Sequence, residues 1–375
     1  MAETDLVDWL RFSTVPGIGP RRQLALLHAF GEPGLALAAS EAALREHLPE
    51  SLVSAWRAAA AAPSPQVDAT LAWLQTPATA VITLGDANYP ARLLDLPDPP
   101  VLLYLKGCAA QLQGTMLGVV GSRGATPQGI ANARAFSAAL SVAGLGIVSG
   151  LAAGIDAAAH EGGLDGTGGT IAIVGTGLDR VYPAGNRALA HRIAEAGLLV
   201  SEFPLGAPPK AEHFPRRNRL IAALSHGVLV VEAALGSGSL ITARQAVELG
   251  REVFAIPGSI HSPQSRGCHR LIKDGAKLVE SADDVLDELD WQARLLPQQR
   301  SITSPPQRVS LPPTPTSEAG VDDVVLSALG HDPADLDALV VRSGLTVEQL
   351  CAILLGLELT GRVATLPGGR YQRLA

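Results

Sequence analysis

The chain has 375 residues, 47% of them hydrophobic and only 4% aromatic, with a formal net charge of -7; that is enough to bury an α/β core and still carry smaller domains beside it. Cys108, Cys268 and Cys351 are odd in number and scattered without a Cys-x-x-Cys pair, which argues against a disulfide framework and a cysteine zinc site. The acidic opening MAETDLVDWLRF and the lack of a bilayer-length apolar run predict a cytoplasmic protein without a signal peptide.

Residues 1–75 alternate helical periodicity with breakers and predict a small helical domain. Within it, VPGIGPRRQLALL (Val15 to Leu27) has the form of a helix-hairpin-helix turn. Gly17 and Gly19 would free backbone N–H groups for a phosphate and Arg21 and Arg22 would add charge; such turns serve equally as protein contacts.

Residues 76–292 form the next predicted domain. It opens on an extended segment, AVITLGDANYPARLLDLPDPPVLLYLKG, whose prolines suit turns and edge strands. From Thr115 the strands MLGVVG, LGIVSG, TIAIVGT, LLVSEF, GVLVVEA, EVFAIPG and AKLVES alternate with helix-length stretches such as PQGIANARAFSAALSVAG and LITARQAVELG. Near-continuous apolar strands between helices predict a doubly wound α/β fold of the extended Rossmann type, its parallel sheet covered on both faces. Residues 293–319, rich in Pro, Ser, Thr and Gln, predict a linker. Residues 320–375 read as three short helices and a glycine-tipped ribbon, a winged-helix-like domain. Its few cations, mainly Arg362, Arg370 and Arg373, suit an interaction module better than a DNA reader.

In a parallel α/β sheet, ligands bind at the carboxyl ends of the strands, where helix N-termini present free N–H groups. Gly121 to Gly124, Ser149 to Asp156, Gly175 to Gly177 and Pro257-Gly258 all fall there. Ser122 and Arg123 add a hydroxyl and a planar fork, so an anion, foremost a phosphate, is the expected ligand. The spacing matches neither G-x-G-x-x-G nor G-x-x-x-x-G-K-[ST], so neither NAD nor ATP is indicated and no cofactor is expected. The nine histidines are dispersed without metal-ligand spacing.

The net charge argues against nucleic acid, but PKAEHFPRRNR is a local exception. Lys210, Arg216, Arg217 and Arg219 surround Phe214, and cations beside an aromatic ring suit single-stranded nucleic acid, phosphates on the cations and a base on the ring. Two other readings stay open: Phe214 folded into the core, and the arginines paired with acids of the domain's own surface. Downstream, Gly236, Gly238, Ser239 and Thr242 form a loop and helix start for another phosphate. Glu232 is placed like a catalytic base, but no His or Ser spacing completes a nucleophilic set.

Taken in order, GVVGSRGATPQG, GIVSGLAAGIDAAAHEGGL, TIAIVGTGLDRVYPAGNRALA, HFPRRNRLIAALS and VLVVEAALGSGSLITARQAVELGREVFAIPG resemble the DNA-processing protein DprA (Smf) family over essentially the whole chain. The resemblance implies a non-enzymatic recombination mediator that binds single-stranded DNA, forms a homodimer through the Rossmann domain, and loads RecA during natural transformation. It assigns the DNA pocket to Gly121, Ser122, Arg123, Gly150, Gly154, Lys210, Phe214, Arg216, Arg217, Asn218, Arg219, Gly238 and Ser239. The chain departs from the family at Cys268-His269, where a small residue and Asn are usual. A competing class in the same superfamily is the Lonely-guy type of nucleotide phosphoribohydrolase, whose PGG-x-GT loop is here replaced by Ala234-Leu235-Gly236-Ser237-Gly238.

Overall fold

The computed structural model describes residues 3–61, 64–290, 321–330 and 333–374; the predicted linker over 293–319 lies outside them. Six helices come first, α1 (Glu3–Thr14), α2 (Pro20–Phe30), α3 (Pro33–Ala38), α4 (Glu41–Arg45), α5 (Glu50–Ala61) and α6 (Pro65–Trp73). The sheet that follows has nine strands, β1 (Thr79–Thr83), β2 (Leu102–Gly107), β3 (Met116–Val120), β4 (Gly146–Ser149), β5 (Thr170–Ile173), β6 (Leu198–Ser201), β7 (Gly227–Val230), β8 (Glu252–Ala255) and β9 (Lys277–Leu278), in the order 1-2-6-5-4-3-7-8-9. Strands β3 to β9 are parallel, whereas the proline-flanked β1 and β2 join antiparallel at one edge. The helices between strands are α7 (Pro127–Val142), α8 (Ile155–Gly163), α9 (Arg187–Ala196), α10 (His213–Leu224), α11 (Ser239–Glu248) and α12 (Arg266–Lys273), with α13 (Ala282–Glu288) after β9.

Central β3 is buried at every position, so its MLGVV shows no alternation. Nearer the edge the two-residue period returns. Leu103 and Leu105 of β2 enter one core, while Leu102 and Tyr104 enter the other. That second core also contains Leu10, Phe12, Leu26 and Trp56 of the N-terminal helices. The helical block predicted over 1–75 therefore covers a sheet face.

The chain divides into two compact units, Met1–Gly124 with Ala133–Val285, and Ala125–Asn132 with Leu286–Ala375. In the second, α14 (Val321–Leu329), α15 (Leu336–Ser343) and α16 (Val347–Leu359) enclose Val325, Leu339, Leu350 and Leu354. Short β10 (Ala334–Asp335) pairs with β12 (Arg370–Arg373), which pairs with β11 (Val363–Leu366). Gly368 and Gly369, both at positive φ, turn the ribbon, and Thr346 with Gln349 closes a capping box on α16. This is a winged helix. Among the described residues, no single helix is long and apolar enough to cross a membrane.

One buried histidine in the first unit gives stability a pH dependence. His160 on α8 is fully buried, its Nδ1 lies 2.7 Å from Thr170 Oγ1, and burial pulls its pKa from 6.5 down to about 3. Below pH 6.5 the unfolded chain takes a proton that the folded one refuses, so this contribution is lost as pH falls from the unfolded pKa toward the folded one. Chemical denaturation should show about 2 kcal/mol lost from this group between pH 7 and pH 5. Histidine-to-glutamine replacement (His160→Gln) should reduce the pH dependence by that amount; an unchanged dependence would mean His160 does not control it.

Candidate nucleic-acid interface

Strand order reverses at β3, whose neighbours are β4 on one side and β7 on the other. The loops leaving β3 and β7 diverge and open a crevice at their carboxyl ends, as expected at such a switch point. Its volume is about 460 Å³, and its walls include Gly121, Ser122, Arg123, Arg217, Asn218, Gly238 and Ser239. The first turn of α11 lies in one wall, and Asp156 at the start of α8 lies in another.

Two glycines bring the pieces together. Gly154 has φ +79°, and a Cβ there would stand 2.3 Å from the Ser122 carbonyl oxygen, so the second loop presses directly on the first. At Gly150 a Cβ would lie 1.7 Å from Arg217 Nη1. The missing side chain is the space the guanidinium occupies.

Helix α10 explains how PRRNR is used. Proline in a first turn loses no helical hydrogen bond, so α10 starts at His213 and includes Pro215. Helical spacing then places Phe214, Arg217 and Asn218 on one side and His213, Arg216 and Arg219 on another. Arg217, 3% exposed, donates to the Ile173 carbonyl at 2.7 Å. Burial pulls its pKa down to about 10 although Asp156 opposes the shift, so it stays charged at neutral pH. Asp156 is pushed upward by burial despite Arg217, the backbone N–H groups of Ala152 and Gly150, and Arg123.

On the other side, Glu202 Oε2 accepts from Arg219 at 2.6 Å and from Arg216 at 3.0 Å. Arg219 is buried and also lies 3.7 Å from Asp98, while Arg216 stands over the Phe203 ring. His213 stacks on Phe203 and donates to the Gly175 carbonyl at 3.0 Å. Thus Arg219 is buried on Glu202 while Arg216 pairs with it from the surface, and neither lines the crevice. Lys210 is exposed, 4.0 Å from Glu212, and also lies outside it.

Arg123 differs from all of these. It is exposed, makes no ion pair among the described residues, and sits over Phe214 at 5.4 Å from the ring centroid. Phe214 is half-buried and touches Tyr182, a residue without a distinguishing sequence signal. Arg123 therefore offers the crevice wall an exposed cation that lowers the Asp156 pKa without an ion pair to it, beside the ring of Phe214, which itself lies outside the lining.

The remaining predicted loops support the crevice from outside its lining. Gly175 to Gly177 is buried beneath His213 and Phe214. Gly258 accepts a hydrogen bond from His269 Nε2 at 2.9 Å, so a histidine holds backbone at the position where the chain departs from the family pattern. Cys268 is buried, and burial pushes its thiol up to about 12. Glu232 is not in the lining, but Gln264 is, and it reaches the Gly124 carbonyl at 3.4 Å. In the N-terminal turn, Arg22 donates to the Gly17 carbonyl at 3.3 Å, Arg21 is exposed, and Gly19 caps α2. Among the described residues, no three metal-ligating side chains gather.

Residues 80–290 match the family described as DNA recombination-mediator protein A, and residues 309–369 match the DprA winged helix domain. Protein Smf of Escherichia coli is 43% identical over 315 residues, 83% of this chain and 82% of that protein. DNA processing protein DprA of Streptococcus pneumoniae is 49% identical over 206 residues, 55% of this chain and 73% of that protein. Its X-ray structure superposes with a TM-score of 0.67 at 38% identity, covering 75% of this chain and 97% of that one. A structure of DprA from Helicobacter pylori, described for its single-stranded DNA binding mode, superposes with a TM-score of 0.52 at 31% identity over 56% of this chain and 96% of that one. With the switch-point crevice, the winged helix and these relatives in agreement, the chain belongs to the DNA recombination-mediator protein A family, the DprA and Smf proteins.

Proposed function

We propose that this recombination mediator binds single-stranded DNA in the crevice between β3 and β7. Phosphates lie on the backbone N–H groups of the β3 loop and the α11 start and on Arg123, while an unpaired base meets Phe214. Arg217 and Asn218 form the floor, and Gly150 and Gly154 keep the loops close. The observation carrying this reading is the exposed guanidinium of Arg123, a wall residue of the crevice, standing over the ring of Phe214 just outside the lining. A duplex keeps its bases stacked and paired, so the aromatic surface favours single strands.

On the same reading the protein works in the cytoplasm as a homodimer through its α/β unit and passes the strand to RecA during DNA uptake. Lys210 and the Gly17, Gly19, Arg21 and Arg22 turn supply peripheral contacts. Arg216 and Arg219 act indirectly, by fixing α10.

The test is fluorescence anisotropy of a labelled single-stranded oligonucleotide across a salt series, with duplex as competitor. Arg123→Ala is expected to weaken binding about tenfold and to reduce the log–log salt slope by about 0.7, without loss of thermal stability. Unchanged affinity and slope would remove the crevice from DNA binding. Release of free base from a nucleoside monophosphate would favour the phosphoribohydrolase reading instead. Size-exclusion chromatography tests the dimer, and RecA filament growth on the bound strand tests the handover.

A further inference from the structure

Among the described residues, Tyr182 is the sole exposed aromatic, at 48% of its full accessibility. Its ring centroid lies 5.7 Å from that of Phe214, tilted by 41°, and Arg123 covers the same Phe214 ring. Exposing a large ring costs hydrophobic free energy, and here the exposed ring adjoins Phe214, the same ring that Arg123 of the crevice wall covers.

The loop bearing Tyr182 is held in place. Asn186 Nδ2 donates to the carbonyls of Leu151 at 2.9 Å and Ala152 at 3.1 Å, tying this loop to the glycine loop after β4. At its other end, Thr176 Oγ1 donates to the Arg180 carbonyl at 3.2 Å, and the Gly206 N–H donates to Asp179 at 2.8 Å. The Tyr182 hydroxyl makes no hydrogen bond among the described residues. The ring is therefore positioned by its loop and by Phe214, and little further ordering is needed when a planar ligand arrives.

We propose that Tyr182 is a second base-binding subsite, taking the unpaired nucleobase next to the one on Phe214. This rests on the reading of the crevice as the single-stranded DNA site and extends it along the strand. Phosphates run past Arg123 and the glycine loops, and two successive bases turn outward onto Phe214 and Tyr182. Because a ring face accepts any base, the subsite adds affinity without sequence preference.

The test compares a labelled oligothymidylate with an abasic deoxyribose-phosphate oligomer of equal length, using wild type, Tyr182→Ala, Tyr182→Phe and Arg123→Ala. Tyr182→Ala should bind oligothymidylate about tenfold more weakly, and Tyr182→Phe should stay within about twofold of wild type. On the abasic oligomer, Tyr182→Ala and wild type should bind alike, whereas Arg123→Ala should remain weaker. If Tyr182→Ala loses as much on the abasic oligomer as on oligothymidylate, the ring supports the loop and stacks no base. If Tyr182→Ala loses nothing while Arg123→Ala does, the subsite is absent and the crevice reading stands. If Arg123→Ala also loses nothing, the crevice reading falls together with the subsite.

Discussion

Replacing Arg217 with methionine is expected to destabilise the protein by about 3 kcal/mol at pH 8 and by clearly less at pH 5. The buried guanidinium supplies a hydrogen bond to Ile173 O, fills the space above Gly150 and opposes the charge of Asp156. Methionine retains much of the volume but supplies neither the hydrogen bond nor the charge. Asp156, already pushed above its ordinary value by burial, then moves further up. A carboxyl whose folded pKa exceeds its unfolded value contributes stability at low pH and loses that contribution as pH rises through the folded pKa. The destabilisation therefore grows toward alkaline pH. Urea midpoints at the two pH values measure it, and adding Asp156→Asn to the variant should recover most of the loss at pH 8. Equal losses at both pH values would show that Asp156 does not sense Arg217. Gly150→Ala tests the same contact from the opposite side: its Cβ would stand 1.7 Å from Nη1, so it should expel the guanidinium and reproduce the loss with the arginine still present.

The sheet was legible in the sequence because strands covered on both faces read as unbroken apolar runs, and β3 to β9 fall within the predicted runs. The position of the crevice was legible only in part. The sequence places four glycine loops, and separately the Gly236 to Gly238 loop, at strand ends, but strand order decides which two loops separate. Here those are the loop after β3 and the Gly236 to Gly238 loop after β7, so the Gly175 and Gly258 loops become supports. The N-terminal helices could be seen, but not the sheet face they cover, since periodicity identifies an apolar side without naming its partner. In PRRNR the proline lies within the first turn of α10, which starts at His213, and the 3.6-residue period separates Arg217 from Arg216 and Arg219, a division the charge pattern alone does not show.

That separation carries the second large effect. Glu202→Leu is expected to cost about 3 kcal/mol of stability while leaving the affinity of the folded protein for single-stranded DNA within about twofold of wild type. Glu202 has a side chain only 1% exposed, and one of its oxygens holds both Arg219 and Arg216. Without it, Asp98 at 3.7 Å is the sole acid left to buried Arg219 among the described residues, and an inadequately paired charge in the interior is costly. Glu202→Gln keeps an acceptor and should cost less. The Glu202–Arg219 pair is shielded from salt by burial, so most of the loss should persist at high ionic strength, whereas DNA binding weakens with salt. Denaturation and anisotropy together give a crossed pattern: Arg123→Ala loses affinity and keeps stability, while Glu202→Leu loses stability and keeps affinity. A stable Glu202→Leu protein that no longer binds DNA would overturn this division, because Arg216 and Arg219 would then have to act on the strand.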